Sequence, residues 1–211
     1  MIGMTLTQPD PPQMQDLLQL RPGWVVGLVG SPGSGLTRLG LAMLAPPARL
    51  APVVALDVRG WLCPPAAWEV GIEPERLVVV RCPQSQAWPA VVAALLEGVR
   101  AVYAEVPAGV GDNQLRRLGA LARARRSGLV LRPLRGDLPA GVAHIRVRAE
   151  AVAWEGTAQG HGRLRERRLT LQASGKGAAG MDRLLMVEDD GTDALRVVSG
   201  LAAAPAGRAA G

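Results

Sequence analysis

The chain has 211 residues, 48% hydrophobic and 20% charged, with a net charge of +6. That is enough apolar material for one domain with a sizeable core, and it excludes wholesale disorder. No apolar run approaches the ~18 residues of a membrane span, and no basic region followed by an apolar stretch opens the chain, so a cytoplasmic protein without a membrane partner is expected.

Residues 1–20 read as a leader: Pro9, Pro11 and Pro12 keep its first part loose, and residues 13–20 form a short helix. Trp24–Val29 is a continuous apolar run, as expected of a fully buried parallel strand. A glycine-rich loop, Gly30–Thr37, follows it, and Arg38–Ala45 reads as a helix stopped by Pro46 and Pro47. Strands are expected at Val53–Asp57, Arg76–Arg81, Ala101–Val106 and Leu129–Leu134. Helices are expected between them at Pro65–Val70, Trp88–Glu97 and Asn113–Arg126. Strands alternating with helices predict an α/β fold with a mainly parallel sheet. The pattern then changes. Ala143–Trp154 alternates, with Ile145, Val147, Ala149 and Ala151 on one side, and Arg168–Ala173 and Arg183–Val187 also read as strands. These predict antiparallel strands added at the C-terminal end. The core thus spans 21–199, and residues 200–211, rich in Ala and Gly, read as a disordered tail.

Of the 24 basic residues, 23 are arginine and only Lys176 is lysine. Lysine chemistry is therefore confined to one position. Residues 112–168 hold thirteen arginines against five acids, an excess of eight positive charges. Such a segment attracts phosphate backbones or an acidic protein face. Cys63 and Cys82 have no metal or redox spacing and read as buried thiols of a reducing compartment. His144 and His161 lack further metal-ligating neighbours, and Ser31 and Ser34 lack a paired His and Asp, so neither a metal site nor nucleophilic catalysis is expected. Residues 188–193 are acidic but lack calcium-loop spacing, and read as a solvated turn. Trp24, Tyr103 and Trp154 read as core residues; Trp61, Trp68 and Trp88 sit on amphipathic segments, where core packing is again the first expectation.

Gly30-Ser31-Pro32-Gly33-Ser34-Gly35-Leu36-Thr37 lies between a strand and a helix, the setting of a P-loop. It fits the G-x-x-x-x-G-K-[ST] pattern except at Leu36, where the lysine that contacts the β- and γ-phosphates belongs. In order and spacing, LRPGWVVGLVGSPGSGLT, VVALDVRGWLCPPAAWEVGIEPERLVVVRCP and LTLQASGKGAAG resemble the RecA superfamily over about residues 20–190. More narrowly, the chain looks like the ImuA group of RecA-like proteins. The resemblance implies a RecA-like core with a degenerate nucleotide loop built from Gly30, Gly33, Ser34, Gly35 and Thr37. It also implies that Glu105 occupies the magnesium-shell position on a Walker-B-like strand. Lys176 matches a lysine that RecA supplies to nucleotide across a subunit interface. Arg59 stands where the family has its catalytic glutamate, so a general base is missing along with the P-loop lysine. Asp57 reads as a turn or cap residue. The two loops that would carry DNA are short, at Pro107–Asn113 and Arg135–Val142.

The expectation is a catalytically inactive RecA-like interaction protein acting in the DNA damage response, in error-prone translesion synthesis. By resemblance its partners are an ImuB-like Y-family polymerase homologue and a replicative-type DNA polymerase, with RecA or DNA as further candidates. No catalytic residue, metal or obligatory cofactor is assigned, ATP or ADP being the only cofactor candidates. Arg116, Arg117, Arg123, Arg125, Arg126, Arg163, Arg165, Arg167 and Arg168 are the expected partner- or DNA-binding surface. Two alternatives stand beside this reading: a noncanonical ATPase using Lys176 in trans, and a basic DNA-binding accessory protein.

Overall fold

The computed structural model describes residues 18–156, 166–178, 182–189 and 196–202. Residues 13–17 of the helix expected at 13–20, His161, Arg163, Arg165, residues 190–193 of the turn expected at 188–193 and residues 203–211 of the expected tail lie outside these residues. Within them the chain runs β1 (Val25–Val29), α1 (Leu36–Ala48), β2 (Val53–Asp57), α2 (Pro65–Trp68), β3 (Leu77–Arg81), α3 (Trp88–Gly98), β4 (Ala101–Val106), α4 (Asp112–Arg125) and β5 (Gly128–Pro133). It continues through β6 (Ile145–Glu155), β7 (Glu166–Ser174), β8 (Arg183–Asp189) and β9 (Arg196–Ala202). The nine described strands form one sheet in the order β3-β2-β4-β5-β1-β6-β7-β8-β9. From β3 to β6 every pairing is parallel, and from β6 to β9 every pairing is antiparallel.

The two faces follow from connection handedness. β1 to β2 and β2 to β3 run in one direction across the sheet; β3 to β4 and β4 to β5 run in the other. Right-handed crossovers therefore put α1 and α2 on one face and α3 and α4 on the opposite face. The core divides accordingly. Leu39, Leu44 and Ala67 pack with Val26, Leu28, Tyr103 and Val130 on the first face. On the second face Trp88, Val92, Leu96, Leu115 and Leu118 pack with Val25, Leu56, Val102 and Leu129. Strands β1, β2, β4 and β5 are buried throughout. β7 instead alternates between buried and half-buried residues, because only its first face continues the core.

Four details depart from the expectation. Helix α1 passes through Pro46 and Pro47 to Ala48. Both prolines fall in its last turn, where the buried Leu44, Ala45 and Ala48 outweigh the lost backbone bonds. In β6 the register shifts between Ala149 and Ala151, so Glu150 is a bulge. Beyond it Val152, not Ala151, faces Leu169, and Trp154 is half exposed rather than core. Trp88 is the fully buried tryptophan of the amphipathic segments, while Trp61 and Trp68 are exposed. Residues 200–202, expected in the tail, belong to β9.

At the amino edge of the sheet, His144 links β1 to the entry of β6. The Val25 amide donates to its Nδ1 at 3.0 Å, the His144 amide donates to the Val25 carbonyl at 2.8 Å, and its ring stacks on Trp24 at 5.5 Å. Burial holds the imidazole below its ordinary pKa of 6.5, with Arg123 and Lys176 adding repulsion. An acceptor Nδ1 also requires the neutral ring. The lowered value means that the unfolded chain takes up this proton first as pH falls. The His144 contribution is therefore complete above the ordinary 6.5 and lost as pH drops through it toward the folded-state value. Urea denaturation at about pH 8 and about pH 5.5 will show lower stability at the acid value, and His144→Gln will flatten that part of the difference.

Candidate functional site

The carboxyl ends of β1, β2, β4 and β5 meet at one edge, where α/β sheets form their clefts. The Gly30–Thr37 loop leaves β1 there. Gly33 and Gly35 have φ of 81° and 75°, left-handed values that suit glycine, and Gly35 caps α1 without a side-chain hydrogen bond. Ser34 is buried and its hydroxyl donates to the Ser31 carbonyl at 2.6 Å. Leu36 is fully buried. A Cβ on Gly30 would lie 2.9 Å from Leu36 Cδ1 and 3.0 Å from Ala149 Cβ. The position at which the resemblance expects a lysine is thus a core position, turned beneath the loop. Thr37 is half-buried in the first turn of α1. A cavity of about 340 Å³ lies between Ser31–Ser34, the bulged part of β6 and Trp154.

Beside the loop, β4 ends in a buried ion cluster. Glu105 is 3% exposed, and its Oε2 accepts the amides of Val58 and Arg59 at 3.1 and 3.4 Å. Its Oε1 meets Arg59 Nη2 at 2.5 Å and Arg132 Nη1 at 3.5 Å. The Glu105 carbonyl accepts Trp88 Nε1 at 2.7 Å. Asp57 is equally committed: Gly60 and Trp61 donate to its Oδ1 at 2.8 and 3.3 Å, and Leu62 donates to Oδ2 at 3.1 Å. Asp57 is therefore the turn residue that its spacing predicted. Tyr103, one turn of the pleat behind Glu105, is fully buried, its ring under Gly40 of α1. Burial pushes its phenol up to about 12, opposed by the nearby Thr37 hydroxyl and by Arg132. Its hydroxyl nevertheless makes no hydrogen bond of good geometry.

The remaining candidates separate in space. Arg167, expected on a binding surface, is 9% exposed and lies over the loop. A Cβ on Gly35 would be 2.6 Å from its Nη1, and its guanidinium faces the Trp154 ring at 5.4 Å. Alternation on β7 turns Arg167 toward the core face and Arg168 toward the other. Arg168 is ringed by Glu155, Glu166 and Glu188 at 2.7 to 3.2 Å, so it is engaged with acids of its own sheet. Lys176 follows β7 at the amino edge, near His144 and a full strand length from the loop. It does not reach the glycine-rich loop of its own chain. Arg116, Arg117, Arg123, Arg125 and Arg126 are all exposed on α4 or its C-cap. Arg116 pairs with Asp112 and Arg125 with Glu97.

Arg132 escaped the sequence reading. Its signal is visible in retrospect: LVLRPL puts a charge inside a fully buried strand, which demands a buried partner. Cys63 is exposed and Cys82 buried, both as free thiols. Among the described residues no group of His, Cys, Asp and Glu could hold a metal, and no helix is long and apolar enough to cross a membrane.

A family model described as the MT3502 N-terminal domain matches residues 16–139. The chain belongs to this family. The MT3502 N-terminal domain here runs from just before β1 to the loop after β5, so it contains the glycine-rich loop, Asp57, Arg59, Glu105 and Arg132. Arg167, Lys176 and the antiparallel strands lie beyond it. No curated protein matches the chain.

Removing the Glu105 carboxylate leaves two guanidinium groups without their shared counter-ion. Glu105→Ala should lower the unfolding free energy by about 3–5 kcal/mol in urea titrations. Adding Arg59→Ala should recover part of that loss, because one stranded cation goes with it, a coupling that a double-mutant cycle measures directly.

Proposed function

We propose that this MT3502 N-terminal-domain protein is a RecA-type scaffold that has kept the architecture of a nucleotide loop, has lost hydrolysis, and works through protein partners. One observation carries the reading. The position at which the resemblance places a magnesium-shell carboxylate is Glu105, and Glu105 is held by Arg59, by Arg132 and by two backbone amides. A carboxylate so engaged is not free to organise a metal-bound water. Arg59, at the place of the expected general base, accepts no proton at neutral pH. Leu36 completes the loss, since a buried leucine offers nothing to a γ-phosphate.

The RecA-type reading is supported by the strand–loop–helix setting of Gly30–Thr37, by Glu105 at the same sheet edge, and by the antiparallel extension after β6. An interaction role is supported by the β2–β3 corner. Trp61 is 73% exposed, with Arg59 stacked over it at 4.7 Å, and Trp68 and Val78 are half exposed beside the open edge of β3. Exposed tryptophans with an arginine are the residue types that dominate interfaces. The exposed arginines of α4 form a second, basic face suited to an acidic partner or to DNA. The pathway comes from the ImuA-like sequence features: error-prone translesion synthesis, with an ImuB-like Y-family polymerase homologue and a replicative-type polymerase as partners. Lys176 stands at the opposite sheet edge from the loop of its own chain, so the alternative, an ATPase that uses it, requires a second copy to bring it to the loop.

A steady-state ATPase assay with and without single-stranded DNA will give no turnover; a rate above about 0.1 per minute that Thr37→Ala abolishes defeats the proposal. Affinity capture of the tagged chain from cells of its own source after DNA damage will return a DNA polymerase, and Trp61→Ala will weaken its recovery.

A further inference from the structure

A scaffold that had simply closed its site would leave no buried donor unmatched. At this edge donors exceed acceptors. Arg132 is 5% exposed, yet its Nε has no hydrogen-bond acceptor and its Nη1 has only the ion-pair contact to Glu105 at 3.5 Å; Arg59 Nε also has no acceptor. The fully buried Tyr103 hydroxyl has only the Thr37 hydroxyl beside it, without good hydrogen-bond geometry. Two guanidinium groups share one carboxylate, Glu105, because the oxygens of Asp57 are taken up by backbone amides of the β2 turn. Groups of this kind are rarely left unsatisfied in a folded protein.

The neighbouring loop has the same preference. Gly33 and Gly35 hold left-handed conformations, and nothing lies within 4 Å of where a Gly33 Cβ would be. No side chain caps α1, so its first amides keep their donor capacity. The Tyr103 ring lies against Gly40 of α1, and its phenol is within electrostatic reach of Thr37, Arg59, Arg132 and Glu105, so the arginine pair stands close to the first turn of α1. With a pKa raised to about 12 the phenol stays protonated at neutral pH and remains a donor. A divalent cation has little to hold it here: both oxygens of Asp57 and both of Glu105 already accept hydrogen bonds or ion pairs. On the β6 side, the cavity of about 340 Å³ bordered by Trp154 gives room for the remainder of a phosphorylated ligand.

We infer that the cleft between the Gly30–Thr37 loop and the ends of β4 and β5 binds a phosphate-bearing anion without a divalent metal, Arg59 and Arg132 standing in for the cation. Guanidinium groups match phosphate oxygens in geometry as well as charge, which a lysine or a hydrated magnesium ion does not do in the same way. This rests on reading the loop as a retained nucleotide-type cradle, and it adds what that cradle holds.

The test is isothermal titration calorimetry of the full chain with inorganic phosphate, pyrophosphate and ADP, each in EDTA and in magnesium. At least one of the three will bind, and EDTA will not weaken it. Equal affinity for pyrophosphate and ADP identifies the anion alone as the ligand; tighter ADP adds recognition of the nucleoside. Arg59→Ala will weaken binding about tenfold, and Tyr103→Phe, which keeps the ring packing, by a few-fold. No binding by any of them at about 10 mM, a requirement for magnesium, or unchanged affinity in both variants overturns the inference. ATP turnover measured on the same preparation separates the two readings. Absent binding with absent turnover removes only the anion site, whereas magnesium-dependent turnover removes the scaffold proposal as well.

Discussion

Glu105 is the group on which the carboxyl edge of the sheet depends. A carboxylate 3% exposed at the end of a buried strand is tolerable only if its charge and its lone pairs are matched. Arg132 from the adjacent strand and Arg59 from the β2 turn supply the charge, and the amides of Val58 and Arg59 supply further donors. The consequence is structural before it is functional. The segment leaving β2 is pinned to β4 by Glu105 and folded on itself by Asp57, whose two oxygens take three successive amides. Trp61 is thereby presented outward, with Arg59 between the ion cluster and the indole face.

That arrangement separates what the sequence could convey from what it could not. The parallel core was legible because its strands are buried on both faces, and VVGLV, VVALD and AVYAEV record this as unbroken apolar runs. The loop was legible because glycines at fixed offsets between a strand and a helix have few other uses. Arg132 was not, because pairing across adjacent strands depends on strand order, and the order β2-β4-β5-β1 is set by crossovers that no local pattern encodes. Ala151 was misplaced for a different reason. One extra residue, Glu150, reverses the alternation of β6, and a period-two pattern cannot register an insertion of one.

The same bulge bears on the loop. Ala149 lies against Gly30, where a Cβ on the glycine would come within 3.0 Å of the alanine Cβ, so β6 approaches the loop closely just before it bends. Past the bend, Val152 and Trp154 return to the core face, and β7 answers with Leu169 and Arg167. Arg167 is carried over Gly35 as a result. The antiparallel extension is thus more than an added edge. It brings a cation from outside the MT3502 N-terminal domain to the glycine-rich loop inside it.

Charge at this edge can be compared with that of an ordinary P-loop. There, a lysine and a metal ion provide positive charge and acidic side chains hold the metal. Here the lysine position is a buried leucine, and the carboxylates are tied to arginines and amides. Positive charge at this edge is carried by the guanidinium groups of Arg59, Arg132 and Arg167. A chain with one lysine among 24 basic residues has in this way made the charge of the cleft a fixed property of its own side chains. In the proposed reading such a cleft favours an anion in its ground state, while Asp57 and Glu105, held by backbone amides and arginines, are not free to take a proton from water, and that combination sets binding apart from hydrolysis.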